Sequence, residues 1–225
     1  MGTRLRASID PEDSQGSLRS RKKQRTRQEI ADAALQLFAR RGFDAVTVAD
    51  IARAAEVSEQ TVYNYFKTKE SLVFDEDEAF EARFVTMVRD RPKTQSLLDA
   101  VRVEARAFLN ALSRRPSGAH RRGSMPYLVA TSEPLRRHWL AVAERHGRAV
   151  AHALVAESSG VLSLPEAKVL GAALVAVFAM IIDEIGQTMT TDGDVPARIK
   201  TLRQEVESAL DRMANNFNLS GERRP

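Results

Sequence analysis

The stretch Val46 to Tyr65, VTVADIARAAEVSEQTVYNY, starts and restarts a helical pattern within twenty residues. Val48, Ile51, Ala52 and Ala55 recur at the spacing of one helix face, and Thr47 stands where an N-cap belongs, with Asp50 three residues on as a capping-box partner. Glu56 and Val57 interrupt the pattern. Ser58 then caps a second helix whose inward positions are Val62, Tyr65 and Phe66. Two short helices crossing over a tight turn need small residues where they touch, which Ala52 and Ala55 supply, and an apolar plug in the turn, which Val57 supplies. These are the requirements of a helix-turn-helix. Its second helix leaves Gln60, Thr61, Tyr63, Asn64 and Lys67 outward, amide, hydroxyl, phenol and ammonium groups that suit base edges and phosphates.

Upstream, Ile30, Ala33, Ala34, Leu37 and Phe38 predict a helix from Gln24 that Gly42 stops. Residues 1–18 show no apolar period, and Arg19, Arg21, Lys22, Lys23, Arg25 and Arg27 follow as a basic cluster. Residues 1–23 are expected to be a disordered basic arm, with Arg25 and Arg27 placed to meet phosphates. Charge placement agrees with that. Residues 19–70 hold eleven Lys or Arg against seven Asp or Glu, whereas residues 71–225 hold 21 against 20.

Downstream the pattern stays helical. Helices are predicted over Glu70 to Val88, residues 94–113, a short piece near Tyr127 to Ala130, Glu133 to Glu157, Pro165 to Thr190 and Pro196 to Phe217, with a basic loop over Arg114 to Gly123. The fold class is therefore all-α, about nine helices: an N-terminal three-helix unit at 24–84 containing the motif 46–65, and a larger helical unit at 85–225. The chain has 43% hydrophobic residues, enough for a core, and no cysteine, which removes thiolate metal sites and cysteine nucleophiles. The N-terminus lacks the pattern of a secretory signal, so a cytoplasmic location is expected. Val169 to Ile182 is almost wholly apolar but short of the roughly 20 residues of a membrane span, and reads as a buried helix. His120, His138, His146 and His152 fall at spacings unlike a metal or catalytic cluster and read as surface residues. With no HExxH, GxSxG, P-loop or GxGxxG pattern, neither catalytic residues, a metal nor a cofactor is expected.

The run Gly42-Phe43, Thr47, Asp50-Ile51-Ala52, Ala55, Val57-Ser58, Thr61-Val62-Tyr63, Tyr65-Phe66 and Lys69-Glu70 with Leu72 resembles the tetracycline-repressor (TetR) family over roughly residues 24–84. The resemblance implies phosphate contacts from Thr47, Tyr63 and Lys69, and base readout by Gln60, Thr61 and Asn64, with Ser58 and Lys67 alongside. The glycine usual at the turn is Glu56 here, which requires either an unfavourable left-handed conformation or a slightly different turn. The resemblance also implies a C-terminal ligand domain and a homodimer formed by helices at about 165–190 and 196–217. Double-stranded operator DNA and a small-molecule effector are the expected partners, with repression as the mode, and no membrane is involved. Leu202, Val206, Leu210, Met213 and Phe217 form an apolar stripe read as part of the dimer face. Phe108, Met125, Tyr127, Trp139 and Phe178 are candidate pocket residues, because aromatic and Met side chains line many apolar ligand sites. A DNA-binding protein without ligand sensing remains the alternative, to be separated by whether a cavity opens within residues 94–182.

Overall fold

A computed structural model describes residues 11–114 and 119–217, except the side chains at 11–18, 119–120 and 215–217. Among the described residues every regular element is helical: α1 (Pro11–Arg41), α2 (Val48–Ala54), α3 (Glu59–Tyr65), a 3-10 turn (Glu70–Leu72), α4 (Asp77–Arg89), α5 (Leu97–Ser113), α6 (Ala119–Arg122), α7 (Met125–Thr131), α8 (Glu133–Glu157), α9 (Leu164–Thr190) and α10 (Val195–Phe217). The ten α-helices described exceed the expected nine through α6, which occupies the end of the predicted basic loop; residues 115–118 of that loop lie outside the described residues.

The first helix differs from expectation at its start. It is helical from Pro11, so residues 11–23 of the predicted disordered arm continue α1, and only residues 1–10 of that arm lie outside the described residues. The physical reason is cooperativity: once Ile30, Ala34 and Phe38 anchor one end in the core, each further turn needs only propagation and not a new nucleus. Residues Arg19 to Arg25 on this extension are exposed.

Ile30, Ala34, Phe38, Phe43, Val46, Ile51, Ala52, Val62 and Phe66 close the core of the α1–α3 unit. The Phe38 and Phe43 rings lie 5.0 Å apart. The chain then departs from the single helix predicted for Glu70 to Val88. Leu72, Val73 and Phe74 are all buried, and three consecutive residues cannot share one face of an α-helix. The 3-10 turn and the bend before Asp77 let all three point inward. The predicted unit boundary at 84/85 falls within α4.

In the larger unit, α9 packs along α8 and α7, α4 lies on α8, and α10 lies on α5. Ser163 and Glu166 form a capping box at the start of α9, with Pro165 in its first turn. At 27 residues α9 is long and apolar enough to cross a membrane, so the predicted shortness does not hold. Ala167, Gly171, Leu174, Val175, Phe178, Ile181, Ile182 and Ile185 are nevertheless buried against protein, as in a core helix. The apolar stripe of α10 is also used internally. Leu202, Val206 and Leu210 are buried against α5 within the chain, so they are not the dimer surface they were expected to be; the side chain of Phe217 lies outside the described ones. Charge pairs flank that contact: Arg102 meets Glu207 at 2.8 Å and Asp211 at 2.6 Å, and Arg106 meets Glu207 at 2.5 Å.

Gly123 and Ser132 are among the residues that join the units. Gly123 rests on α1 so closely that a Cβ there would lie 2.8 Å from the Leu35 carbonyl oxygen. The buried Ser132 donates to Asp44 at 2.9 Å.

Candidate functional site

The motif is built as its residue types require. Thr47 Oγ1 accepts the Asp50 N–H at 3.1 Å, and Asp50 Oδ2 accepts the Thr47 N–H at 3.1 Å. The backbone N–H of Thr47, followed by its side chain and Arg41, holds the Asp50 carboxyl below the usual carboxylate range. The Thr47 side chain is exposed.

The turn closes as a Schellman motif: Val57 N–H donates to Ala52 O at 2.9 Å and Glu56 N–H to Arg53 O at 3.3 Å. Glu56 sits at φ 54°, the left-handed one of the two alternatives its position left open. The strain is of order 1–2 kcal/mol relative to an unstrained residue. Ser58 then caps α3, accepting Thr61 N–H at 3.0 Å, while the Ser58 and Thr61 hydroxyls share a 2.8 Å hydrogen bond.

On α3, Val62 is buried, whereas Gln60, Tyr63 and Asn64 point outward, with Tyr63 47% exposed. Gln60 Nε2 donates to Asn64 Oδ1 at 3.2 Å. That bond leaves the Gln60 carbonyl oxygen and the Asn64 amide unspent, an acceptor beside a donor. Lys67 is exposed just beyond the helix, and Arg25 is exposed on α1, paired with Glu29 at 2.8 Å.

Two predicted phosphate ligands are engaged inside the protein instead. Arg27 donates to the Tyr65 carbonyl at 2.8 Å, meets Asp75 in an ionic contact at 2.5 Å and stacks over Phe66 at 4.4 Å. Lys69 Nζ donates to the Phe43 and Val46 carbonyls at 3.1 and 3.0 Å and lies 4.0 Å from the Phe43 ring centroid. It closes the loop that presents Thr47. Lys69→Met should therefore cost about 2 kcal/mol, since hydrogen bonds from a charged group contribute about 1.5–3, and lower the Tm by roughly 4–8 °C. The salt dependence of any DNA binding should keep its slope. A slope reduced by about one with an unchanged Tm would make Lys69 a phosphate ligand instead.

A cavity of about 200 Å³ lies where α1 meets the larger unit. Phe108, Met125, Trp139 and Phe178 line it, while Tyr127 does not. Gln28, Ala31 and Leu35 of α1 form one wall, and the Leu72 to Asp77 segment another. Phe84 and Phe178 meet edge to face at 4.8 Å, and Phe74 stacks on Trp139 at 5.9 Å. His146 also lines the cavity, and it is 1% exposed, not the surface residue expected. Its Nε2 lies 2.7 Å from Asp77 Oδ1, and Asp77 also pairs with Arg145. Burial pushes the imidazole pKa down, against the opposing pull of Asp77. The sequence carried a signal for this burial: His146 falls four residues after Val142 and four before Val150, on the inward stripe of α8.

The sequence pattern described as bacterial regulatory proteins, tetR family, matches residues 30–75, which contain the cap, turn and recognition helix just described. Residues 30–75 thus carry the tetR-family sequence pattern, and the helix-turn-helix at 46–65 lies within them. Two curated relatives are similar to it: the HTH-type transcriptional regulator TcmR of Streptomyces glaucescens, 35% identical over 92 residues covering 41% of each chain, and MftR of Mycobacterium tuberculosis, named as a regulator of mycofactocin biosynthesis, 30% identical over 113 residues covering 50% of this chain and 56% of the relative. The chain thus matches about half the length of these tetR-type relatives. Among solved structures, NalD of Pseudomonas aeruginosa, described as the secondary repressor of the MexAB-OprM multidrug efflux pump, superposes with a TM-score of 0.52 at 17% identity over 83% of this chain and 96% of NalD. That likeness is one of fold and spans both helical units.

Proposed function

We propose that this chain is a ligand-responsive transcriptional repressor that binds a palindromic operator as a dimer and leaves it when a small molecule enters the cavity. The observation that carries the reading is the tetR motif with its outward α3 edge. Gln60, Asn64 and Thr61 meet base edges in the major groove, the free acceptor and donor of the Gln60–Asn64 pair matching the two-point pattern of adenine. Thr47, Tyr63, Ser58, Lys67 and Arg25 hold phosphates, while Arg27 and Lys69 position the motif from within. The reading head is residues 24–84, and residues 85–225 sense and dimerise. Acting on DNA, the protein works in the cytoplasm, and no catalytic role is proposed.

Dimerisation falls to α9. Val169 (71% exposed) and Met180 (38%) continue through exposed Ala172 and Ala176 as a stripe of small and apolar residues that nothing in the chain covers among the described residues. Two copies related by a two-fold axis set their α3 helices about 34–36 Å apart, one turn of DNA.

The cavity favours an effector over a constitutive binder, because a DNA-binding protein without sensing has no need of a chamber lined with aromatic side chains. Its α1 wall gives induction a short route. A ligand that fits only when Leu35 and the Leu72 to Asp77 segment move biases the reading head directly, by as much as its differential affinity for the two arrangements.

The test is fluorescence anisotropy of full-length protein on DNA fragments selected from its own genome, at several salt concentrations. Tight binding that weakens steeply with salt, and about tenfold further in Tyr63→Ala, is expected. Salt-insensitive binding, or a Tyr63→Ala variant equal to wild type on every selected fragment, would overturn the interface.

A further inference from the structure

The cavity is chemically selective, and the selectivity centres on His146. Asp77 takes both the His146 Nε2 contact at 2.7 Å and the Arg145 ion pair. A carboxylate partner fixes the imidazole proton on Nε2. Nδ1 is then a bare acceptor, and it is buried with no hydrogen-bond partner. An acceptor left this way is costly to bury, on a helix whose neighbouring inward residues, Trp139, Val142, Val150 and Ala151, are all apolar. The partner that would satisfy it must be a donor.

Charge narrows the class further. Asp75, Glu76 and Asp77 line the same cavity but, among the described residues, no Lys or Arg does, so an anionic ligand finds no counter-charge. A cation finds no free buried acid either, because Asp75 is paired with Arg27, Asp77 with Arg145, and Glu76 faces solvent. What remains is a neutral molecule. The walls carry the rings of Phe74, Phe80, Phe84, Phe108, Trp139 and Phe178, which favour a flat aromatic body. A cavity of about 150 Å³ takes up benzene, so one of about 200 Å³ holds a substituted ring or a compact bicycle.

We propose that the cavity binds a small neutral aromatic alcohol, of the alkylphenol class, whose hydroxyl donates to His146 Nδ1 while its ring packs among the aromatic walls. This rests on the effector reading above and makes His146 the residue that sets specificity. The same reasoning predicts discrimination against the matching ether, which has the body of the ligand without the donor.

Trp139 is the single tryptophan of the chain and stands in the wall, so its fluorescence reports occupancy. Full-length protein is titrated with para-propylphenol, para-propylanisole, para-propylbenzoate and para-propylbenzylammonium. The phenol should bind about tenfold tighter than the anisole, and the two ions more weakly than either. His146→Leu, close in size, should hold the anisole at near wild-type affinity and erase the preference for the phenol. Equal binding of phenol and anisole in the wild-type protein, or tightest binding of either ion, overturns the donor assignment while leaving the effector cavity standing. If folded wild-type protein binds none of the four, the effector reading fails with it. Should His146→Leu not fold, the wild-type series alone decides between these outcomes.

Discussion

Gly171→Ala is expected to lower the Tm of this protein by roughly 6–12 °C, corresponding to about 3 kcal/mol at this chain length. At Gly171 the backbones of α8 and α9 come together: a Cβ there would stand 2.3 Å from the Gly147 carbonyl oxygen and 3.0 Å from the Ala151 nitrogen. Both obstacles are main chain, so no side chain can swing aside. The helices would have to separate, loosening the contacts of Leu174, Val175, Val150 and Ala151 along the largest helix pair in the molecule. Overpacking typically costs about 1–3 kcal/mol; a clash with two main-chain atoms that cannot swing aside lies above that range, at about 4 kcal/mol, and the gain of about 1 kcal/mol that Ala has over Gly in a helix offsets only part of it. Gly42 makes the control. It sits at φ 77° with nothing within 4 Å of the Cβ position, so Gly42→Ala pays only the conformational cost of about 1–2 kcal/mol. Thermal denaturation of the two variants separates crowding from backbone strain; a Gly171→Ala protein as stable as Gly42→Ala would mean that α8 and α9 do not approach as closely as described.

Features set by local chemistry were legible in the sequence, and features set by what lies opposite an element were not. Thr47, Asp50 and Ser58 announced two helix starts because a cap is a contact between residues three apart. Glu56 marked the turn itself for the same reason. The Leu72–Val73–Phe74 run also held its meaning locally, since three adjacent buried residues are incompatible with a continuous α-helix, yet helical propensity across Glu70 to Val88 concealed it. The α10 stripe is the contrasting case. Periodicity shows that Leu202, Val206 and Leu210 are buried, but only the fold shows that α5, rather than a second copy, covers them.

The candidate site divides along the same line. The outward edge of α3 followed from spacing, and four of the five candidate pocket residues meet in one cavity. The engagement of Arg27 and Lys69 did not follow, because their acceptors lie 23 to 38 residues away in sequence. Their placement has a functional consequence. Arg27 joins Tyr65 at the end of the recognition helix to Asp75 in the cavity wall, so the reading head and the chamber share a side chain as well as the α1 surface. On the proposed function, movement of the Leu72 to Asp77 segment would reach α3 through this one guanidinium.

The α9 stripe yields the largest expected loss of function. Ala176→Arg is expected to convert the protein to a monomer in light scattering and to reduce operator affinity at least about 100-fold. In an isologous interface one substitution appears twice near the two-fold axis, so two like charges would be forced together in place of two methyl groups. Each would have to be buried without a partner, at a cost of several kcal/mol per ion. The DNA term follows from valency: once one head is bound, the second acts at an effective concentration of order millimolar, and losing that linkage forfeits roughly 10²–10⁴ in apparent affinity. Ala176 is exposed and far in sequence from the α3 edge, so the monomer should retain its weak, salt-sensitive affinity for a half-site and its cavity. Ala209→Arg, on the exposed face of α10, should leave both mass and affinity unchanged. The reverse result, a monomer from Ala209→Arg and an intact dimer from Ala176→Arg, would move the interface from α9 to α10.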